Sequence, residues 1–269
     1  IHLTSNAKSC KMDYVNILFG GMSQGYGHDC ALKIDGDSLV ISHTNILKSQ
    51  TQGICLESNA KYISADHLLL EDNGRNGILD YNGANYTLSI NNSQATNNGE
   101  YGINIARDID LYIQNSTFGP NTLGAIKLHH NSVGGIAFSN SFTTPGLIEV
   151  ISGDITRNAA WPGFFATDKV HYYINNNIKV YGTEDLPAVL QINPGAELRF
   201  AKSSAAGLAV GYNGNPGQLI AEGTSTDSIT FTSAEADPQP GDWRTIHLTS
   251  HAKSCKMDYV NILFGGMSQ

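Results

Sequence analysis

The sequence predicts an all-β solenoid, a parallel β-helix without a helical domain, on the strength of three observations. Charged residues make up only 15% of the 269 residues, while glycine occurs 28 times, a composition that suits short strands and turns. Apolar residues recur every 22–25 residues along the first half of the chain. The first 24 residues return almost unchanged at its end. Together these features predict stacked coils of about 22–25 residues.

The shorter repeat is carried by one apolar anchor residue in each segment. A second apolar residue follows two positions later, except at Asp80, and such alternation forms one face of a strand. Further apolar positions follow, so each segment offers three short strands. No segment can bury its apolar face alone, and stacked segments would form a continuous core. The anchors are Leu32, Ile54, Ile78, Ile103, Ile126 and Ile148.

The same spacing predicts the rest of each coil. A second strand carries an apolar pair, such as Ile136 with Phe138, and Asn-Gly at 73–74 and 98–99 marks the last corner before the next anchor. The third inward position is expected at Ile46, Leu68, Ala95 and Phe118. A corner that tolerates a left-handed backbone is expected five residues past each anchor. These corner residues are Asn59, Gly83, Asp108, Asn131 and Gly153.

The longer repeat joins residues 1–24 and 246–269, which differ only at Asn6 and His251. A chance match of this length is negligible, so the period of 245 residues is real. We expect the chain to be part of a longer tandem array. Residues 1–245 would form one unit, with regular coils over 1–152 and looser coils with Pro-Gly turns over 153–245. Residues 246–269 would form the first coil of the next identical unit.

One stretch of the chain resembles a known family. Ile192 to Ile246, with INPGAELRFA, GLAVG, GQLIAEGTSTDSITFTS and PGDWRTI, resembles the right-handed parallel β-helix repeat regions of large bacterial secreted and cell-surface proteins. The following DYVNILFGG resembles the next coil, so the resemblance covers nearly the whole chain. It implies a right-handed solenoid and an extracellular or cell-surface location. It leaves the function open, because such regions are mostly stalks, adhesins or scaffolds while relatives with the same fold cleave polysaccharides.

The net charge and the absence of certain motifs limit the kinds of partner and ligand that we expect. A net charge of −8 and a pI near 5.5 argue against nucleic acid, which calls for a basic surface. No run of 18 apolar residues occurs, so we expect no membrane span. The turn at 35–37 (Asp-Gly-Asp) lacks the extended pattern of a calcium loop, and no phosphate-binding loop or His-rich motif occurs. We therefore expect no cofactor and no metal site.

Two acids form the best enzyme-like arrangement. Asp35 and Glu57 are expected on outward positions of neighbouring coils, one strand spacing apart, beside Lys33. Paired outward acids are also common on any acidic solenoid, and we favour that interpretation over catalysis. Asp80 is expected inward, either as a functional buried acid or as the mark of a bulge. A further polar group is expected to solvate a corner: Arg107, Asp108, Asp110, His129 and His130.

Aromatic residues in the later segments could stack on a sugar, but filling of the core and corners is the favoured interpretation. These residues are Trp161, Phe164, Phe165, Tyr172, Tyr173 and Trp243. Acceptor sequences for N-glycosylation, which suit a secreted surface protein, begin at Asn85, Asn91 and Asn115.

Three cysteines fall within one period, Cys10, Cys30 and Cys55, and Cys255 repeats Cys10. An odd number leaves at least one thiol free or bonded to another unit. Strand alternation places Cys30 inward and Cys55 outward, which disfavours a bond between them and makes Cys55 the better candidate for an inter-chain link. Burial as small apolar side chains is the alternative.

These observations favour a structural function. Near-identical units, a fold that propagates by stacking and the lack of a convincing active site indicate an extracellular tandem-repeat protein. Its units would stack into a rod, fibre, stalk or sheath, and its main partner would be itself. The alternative is a carbohydrate-binding adhesin, or a polysaccharide lyase or hydrolase, acting on cell-surface carbohydrate.

Overall fold

A computed structural model describes residues 1–22, 30–82, 85–143, 146–164 and 170–267. The described chain consists of β-strands and one 3₁₀ turn, Val133–Gly135, and its paired strands run parallel. The predicted parallel β-helix is therefore confirmed as a β-solenoid. The described residues contain no helix with the length and apolar character needed to cross a membrane. Two compact units are distinguished, residues 1–128 with 135–147, and residues 129–134 with 148–269.

The strands of the first unit are short, apart from two of ten residues each. They are β1 (His2–Leu3), β2 (Cys10–Asp13), β3 (Asn16–Leu18), β4 (Cys30–Ile34), β5 (Ser38–Leu47), β6 (Gln52–Leu56), β7 (Tyr62–Glu71), β8 (Ile78–Asp80), β9 (Thr87–Asn91), β10 (Gln94–Thr96), β11 (Tyr101–Ile105), β12 (Asp110–Gln114), β13 (Thr117–Phe118), β14 (Gly124–His129) and β15 (Ser141–Phe142).

The predicted anchors form one column of the first unit. Strands β1, β4, β6, β8, β11 and β14 lie side by side in that order. Leu32 lies opposite Ile54, and the same register continues through Ile78, Ile103 and Ile126. These five anchors, and the sixth, Ile148, are buried. The coil length predicted for this part of the chain is confirmed.

The second and third predicted strands of a coil share one sheet, because the chain bends between them at a single residue. In β5 and β7 the bend is at His43 and His67, whose φ angles are 45° and 53°. At Asn92 and Asn115 the same left-handed bend separates β9 from β10 and β12 from β13. One residue with positive φ turns the chain sharply without a loop, and Asn accepts this conformation more readily than most residues.

The predicted corner residues do lie in the connections that follow the anchor strands, but they are not left-handed. Positive φ angles are found at the bends and at other residues such as Lys48, Asp72 and Asn97, but not at Asn59. The same correction applies to Asp108, Asn131 and Gly153, while Gly83 lies outside the described residues. The reason is the length of the connection. Between β6 and β7 the chain has several residues in which to turn, so no single residue needs a left-handed conformation.

Two inward assignments also change. Ile46 lies opposite Leu70, and Leu68 lies opposite the buried Thr44, two residues earlier in the coil. Ile136 is buried and bridges to Ile113, but Phe138 is exposed. The 3₁₀ turn at 133–135 interrupts the strand pattern there, so the alternation that placed Phe138 inward does not hold.

The strands of the second unit are again short. They are β16 (Gly146–Ile151), β17 (Asp154–Ile155), β18 (Ala159–Trp161), β19 (Val170–Ile174), β20 (Asn177–Val180), β21 (Ala188–Ile192), β22 (Glu197–Phe200), β23 (Gly207–Val210), β24 (Gly217–Glu222), β25 (Ile229–Ser233), β26 (Ile246–Leu248), β27 (Lys256–Asp258) and β28 (Val260–Ile262).

Three sheets make up the second unit, so each coil has three separate strands. Strands β17, β20, β23 and β26 form one sheet, and β18, β21, β24 and β27 form another. The coils are longer than predicted, since Leu198 pairs with Phe231, 33 residues further on. The loops at 201–206, 211–216 and 223–228 hold the additional residues. Apolar spacing finds strands but does not limit the loops between them.

Candidate functional site

The repeated segment is seen with a different neighbour in each of its two copies. In the first copy, β1, β2 and β3 pair with β4 and β5, which follow them in the chain. In the second copy, β26, β27 and β28 pair with β23, β24 and β25, which precede them. The two copies therefore show how one sequence contacts the coil after it and the coil before it.

Three apolar positions of the segment face buried residues in both copies. Leu3, Met12 and Ile17 lie opposite Ile34, Ile41 and Ile46. Their equivalents Leu248, Met257 and Ile262 lie opposite Val210, Ala221 and Phe231. All six of these partners are buried, whereas Ile262 itself is 49% exposed because only one of its sides is covered.

The backbone groups that the two copies use lie on opposite edges of the strand. In the first copy, Ile1 O and Leu3 O accept the amides of the following coil at 2.9 and 2.8 Å. In the second copy, the amide of Thr249, equivalent to Thr4, donates to Val210 O at 3.0 Å. Successive residues of a strand direct their polar groups to alternate sides, so these bonds do not compete.

One aromatic position of the segment, Phe19 in the first copy and Phe264 in the second, shows the same division within one residue. Phe19 donates its amide to Leu47 O at 3.1 Å, whereas its equivalent, Phe264, accepts the amide of Asp242 at 3.0 Å. Both residues have left-handed backbones, with φ angles of 56° and 60°. This position thus uses its amide for one neighbouring coil and its carbonyl for the other. The next position differs, because its carbonyl is used in both copies: Gly20 O accepts the amide of Gln50 at 3.0 Å, and Gly265 O accepts the amide of Gly241 at 3.3 Å.

A glycine of the segment is needed against both neighbours. A Cβ atom on Gly20 would lie 2.9 Å from Ala31 Cβ. On Gly265, its equivalent, a Cβ atom would lie 3.0 Å from the Trp243 ring. Real side chains do not pack this closely, so both contacts depend on glycine. Neither the glycine nor Trp243 was singled out as a contact by the sequence patterns.

Buried asparagines connect successive coils of the first unit. Asn73 Nδ2 donates to Asn98 Oδ1 at 3.0 Å, and Asn98 Nδ2 donates to Asn121 Oδ1 at 2.9 Å. Asn98 Oδ1 also accepts the Asn73 amide at 3.2 Å, and Asn98 Nδ2 donates to Leu70 O at 3.1 Å. The sequence located these corners but not the ladder, although asparagine recurring at 73, 98 and 121 was a usable signal.

A second polar column runs parallel to the asparagines. The amide of Leu68 donates to Ser93 Oγ at 3.0 Å, and the amide of Ser93 donates to Ser116 Oγ at 3.1 Å. The amide of Ser116 donates in turn to Asn140 Oδ1 at 3.0 Å. Such ladders satisfy buried amides only while the coils are stacked, so they favour one register of stacking.

Each of the two candidate acids contacts a polar side chain nearby. Glu57 is buried rather than outward, and its Oε1 lies 3.1 Å from Lys33 Nζ. Asp35 Oδ1 accepts Asn59 Nδ2 at 2.9 Å. Lys33 does lie beside the pair, as the sequence predicted. The prediction that Glu57 lies on the outer surface was wrong, since Glu57 is buried directly after β6, a strand in which all five residues are buried.

Asp80 is a buried acid held in the expected register. It lies inward opposite Leu56, so no bulge displaces it, and its carboxylate is 3.7 Å from Arg107 Nε. Asp80 also affects the pKa of the buried Tyr86. Burial first, and then the negative charge of Asp80, raise the pKa of Tyr86 well above its ordinary value.

Replacing Tyr86 with phenylalanine is expected to make the protein more resistant to alkali. The raised pKa means that stability linked to this phenol is present below about pH 10 and is lost as the pH rises above it. Phenylalanine cannot ionise, so the variant should lose less unfolding free energy between pH 8 and about pH 11. Urea unfolding at both pH values measures this, with the exposed Tyr62→Phe as control. Equal losses in Tyr86→Phe and the unsubstituted protein would contradict the expectation.

The polar group near the corner divides into exposed and buried members. Arg107 and Asp110 are exposed, as predicted. His130 is buried, with Nδ1 2.9 Å from Ile151 O and Nε2 3.1 Å from Asp154 O. The prediction that it solvates a corner was therefore wrong. Gly153 leaves room for the ring, since a Cβ atom there would lie 2.5 Å from His130 Cε1. Asp108 and His129 are partly exposed.

Most of the candidate aromatic patch belongs to the core of the second unit. Trp161, Phe164, Tyr172 and Trp243 are buried, which confirms the favoured interpretation. Tyr173 is partly exposed, and Phe165 lies outside the described residues.

Two of the cysteines form a disulfide. Cys30 and Cys55 are bonded, with their Cα atoms 5.9 Å apart, and Cys55 is buried. This corrects the prediction that the pair is disfavoured and that Cys55 is available for an inter-chain link. Strict alternation fails in β4, where Ala31 and Leu32 are both buried, so parity was a poor guide. Cys10 and Cys255 are free and partly exposed.

Replacing Cys30 with serine is expected to lower the free energy of unfolding by about 3 kcal/mol, because the bond closes a loop across 25 residues. Reductant should lower the unfolding midpoint of the unsubstituted protein to a similar degree. The matched control is Cys10→Ser, which removes a free thiol and should change little. A midpoint that is the same with and without reductant would refute the structural role of this bond.

The three glycosylation candidates differ in their surroundings. Asn85 is exposed. Asn91 Nδ2 donates to Asp66 Oδ1 at 3.1 Å, and Asn115 Nδ2 donates to Asn91 Oδ1 at 2.9 Å. These two amides therefore take part in contacts between coils, and Asn85 is the more accessible acceptor.

Within the described ranges, no cluster of three or more His, Cys, Asp or Glu side chains is placed to hold a metal ion. The chain matches no protein-family model, no curated protein and no solved structure.

Proposed function

We propose that this chain is a structural element of an extracellular tandem-repeat protein, in which successive units continue one solenoid through the shared 24-residue segment. The observation that carries the proposal is the use of opposite backbone edges by the two copies. One copy of the segment could bond the end of one 245-residue repeat and the start of the next at the same time. Its main partner is then another copy of itself.

Further observations support a structural element made of stacked coils that are bonded to one another. The asparagine and serine columns bond each coil to the next inside the first unit. Buried side-chain ladders of this kind resist sliding, because a slipped register leaves amides without partners. The segment's apolar positions would be fully covered only between two neighbouring coils.

An extracellular location is supported by the Cys30–Cys55 disulfide, since disulfides persist mainly in oxidising compartments. The resemblance to repeat regions of secreted and cell-surface proteins supports the same location. The negative net charge of −8 suits a soluble outer surface that does not bind nucleic acid.

Electron microscopy of chains with one, two and three 245-residue repeats tests the proposal. Each added unit should lengthen the particle by the same amount, at about 4.8 Å for every stacked coil. Units that appear as separate bodies at variable angles would contradict a continuous solenoid.

The proposed function is not catalytic. Incubation with a panel of acidic polysaccharides should yield no cleavage products, either from the unsubstituted chain or from a variant with Asp35→Asn and Glu57→Gln. Cleavage by the unsubstituted chain that disappears in the double variant would overturn this part of the proposal.

A further inference from the structure

We propose that the second unit binds a neutral monosaccharide, free or as part of a glycan, in a cavity on the outer face of β22 and β25. The cavity has a volume of about 420 Å³, which lies within the range of small-molecule sites. All of its lining residues belong to the second unit. The inference goes beyond the proposed function, because one chain is sufficient to form the site.

Strand alternation directs the polar side chains of the site outward. Leu198 and Phe200 are buried, whereas Glu197 and Arg199 are partly exposed. Thr230 lies opposite Glu197 on the next coil and is also partly exposed. Because buried neighbours hold each strand in the core, the outward side chains extend from a fixed backbone. The site therefore has a rigid base.

Arg199 supplies the hydrogen-bond donors of the site. Its Nε donates to Glu197 Oε1 at 2.6 Å, which fixes the plane of the guanidinium group. Its other N–H groups have no acceptor among the described residues. A planar fork of such donors can bind two oxygen atoms of one ligand at the same time.

Two carboxylates and a hydroxyl supply the remaining polar groups. Asp227 Oδ2 accepts the hydroxyl of Thr226 at 2.7 Å. The second carboxylate oxygens, Asp227 Oδ1 and Glu197 Oε2, have no donor within the described part of the chain. Ser228 Oγ accepts Asn261 Nδ2 at 3.1 Å, so its hydroxyl proton remains for a ligand. The lining thus offers acceptors as well as donors.

The loop at 223–228, which forms one wall, is held by its own hydrogen bonds. The amide of Asp227 donates to Thr224 Oγ1 at 2.9 Å, and the amide of Thr224 donates to Asp227 O at 3.1 Å. Asp227 O also accepts the amide of Gly195, in the turn between β21 and β22, at 3.1 Å. A wall that is ordered before binding lowers the entropy lost when a ligand binds.

The charges of the lining favour a neutral ligand. The carboxylates of Glu197 and Asp227 oppose an anion, and the guanidinium of Arg199 opposes a cation. A neutral polyol can donate and accept hydrogen bonds through the same hydroxyl groups, which suits this mixed set. Phe164 and Val170 add an apolar part of the wall, against which the C–H groups of a sugar ring can pack. These features together assign a monosaccharide.

Each 245-residue repeat of the proposed array would present one such site. A single site should bind weakly, with a dissociation constant on the order of 1 mM, because the ligand is small and the site is partly exposed. Several sites on one array would bind a polymeric glycan more tightly, provided that the glycan spans them. Only this gain in affinity rests on the proposed function.

Titration of the 269-residue chain with glucose, galactose, mannose and N-acetylglucosamine tests the site, with backbone amide shifts followed by NMR. At least one of these sugars should shift the amides of Arg199, Asp227 and Thr230, with half-saturation on the order of 1 mM. Glucuronic acid and glucosamine, which carry a charge, should bind no more tightly than that sugar.

Three variants locate the site. Arg199→Lys retains the charge but loses the fork, so it should weaken binding by about tenfold. Thr230→Val removes a hydroxyl from the lining and should weaken binding by about fivefold. Thr232→Val is the matched control, because Thr232 lies on the same face of β25 but outside the lining, and its binding should not change. Valine is also β-branched, and urea unfolding checks that each variant is folded.

Shifts at the lining that weaken in Arg199→Lys and Thr230→Val, but not in Thr232→Val, would support the site. No shift with any of the four sugars at about ten times the expected dissociation constant would overturn it. So would equal binding by all three variants, or tighter binding of either charged sugar. The proposed function is tested separately, since repeats that lengthen in equal steps in the microscope would retain it whether or not a sugar binds.

Discussion

Replacing Asn98 with alanine is expected to lower the free energy of unfolding by about 4 kcal/mol, a loss at the upper end for one side chain. The amide side chain of Asn98 is 1% exposed and bonds to residues of both neighbouring coils. Its removal leaves the Asn73 amides without their acceptor, and it takes away the donor to Leu70 O and Asn121 Oδ1. Each buried group without a partner costs about 1–3 kcal/mol, partly offset where water enters.

Urea unfolding checks the size of this loss, and Asn97→Gly is the matched control. Asn97 is adjacent, exposed and left-handed, with a φ of 55°, a backbone conformation that glycine retains. We expect the control to change the unfolding free energy by less than about 0.5 kcal/mol. Equal losses in the two variants would show that the ladder does not connect the coils energetically.

Replacing Trp243 with alanine is expected to cost about 4 kcal/mol and to release the second copy of the segment first. Trp243 is fully buried, its ring stacks on Phe200 at 4.4 Å, and its Nε1 donates to Leu263 O at 2.8 Å. It also meets Gly265, so its loss opens a cavity directly beneath the segment. The indole both fills space and fixes the backbone of that coil.

Trp243→Phe separates these two contributions. Phenylalanine retains most of the ring contact with Phe200 but leaves Leu263 O without its donor, so the loss should be about half as large. Hydrogen exchange of the amides of Leu263 and Met267, which donate to Phe231 O and Trp243 O, should accelerate in Trp243→Ala before the rest of the unit opens. Uniform acceleration throughout the unit would contradict a local role for Trp243.

The stacking of the coils could be predicted because it depends on burial. Apolar anchors recur at fixed spacing, since each must lie above its equivalent, and Leu32 and Ile54 accordingly fall in one column. The length of the later coils could not be predicted in this way. The loop at 223–228 contains no buried residue, so the apolar pattern does not limit its number of residues.

Polar details escaped prediction for a related reason. Hydrogen-bond geometry decides whether an asparagine such as Asn98 is a turn residue, a ladder residue or both, and its sequence spacing alone does not. The disulfide was misjudged because alternation was assumed near Cys30, at the start of a strand whose burial does not alternate. Glu57 was placed outward for the same reason.

Part of the candidate site could be predicted from the sequence. The duplication of residues 1–24 at 246–269 identified the segment that meets another copy of itself. It did not show that the two neighbours use opposite edges, because edge use depends on which way each amide and carbonyl points. That division became clear only from the bonds of Phe19 and Phe264.

Hydrogen exchange at Phe264 tests this division most directly. The comparison is between the 269-residue chain, at a concentration where it is monomeric, and a chain extended beyond Gln269 by a further copy of residues 25–92. If one segment bonds both neighbours at once, the Phe264 amide should exchange freely in the shorter chain and become as protected as the Phe19 amide in the longer one. A Phe264 amide that exchanges at the same rate in both chains, while Phe19 stays protected, would contradict the account.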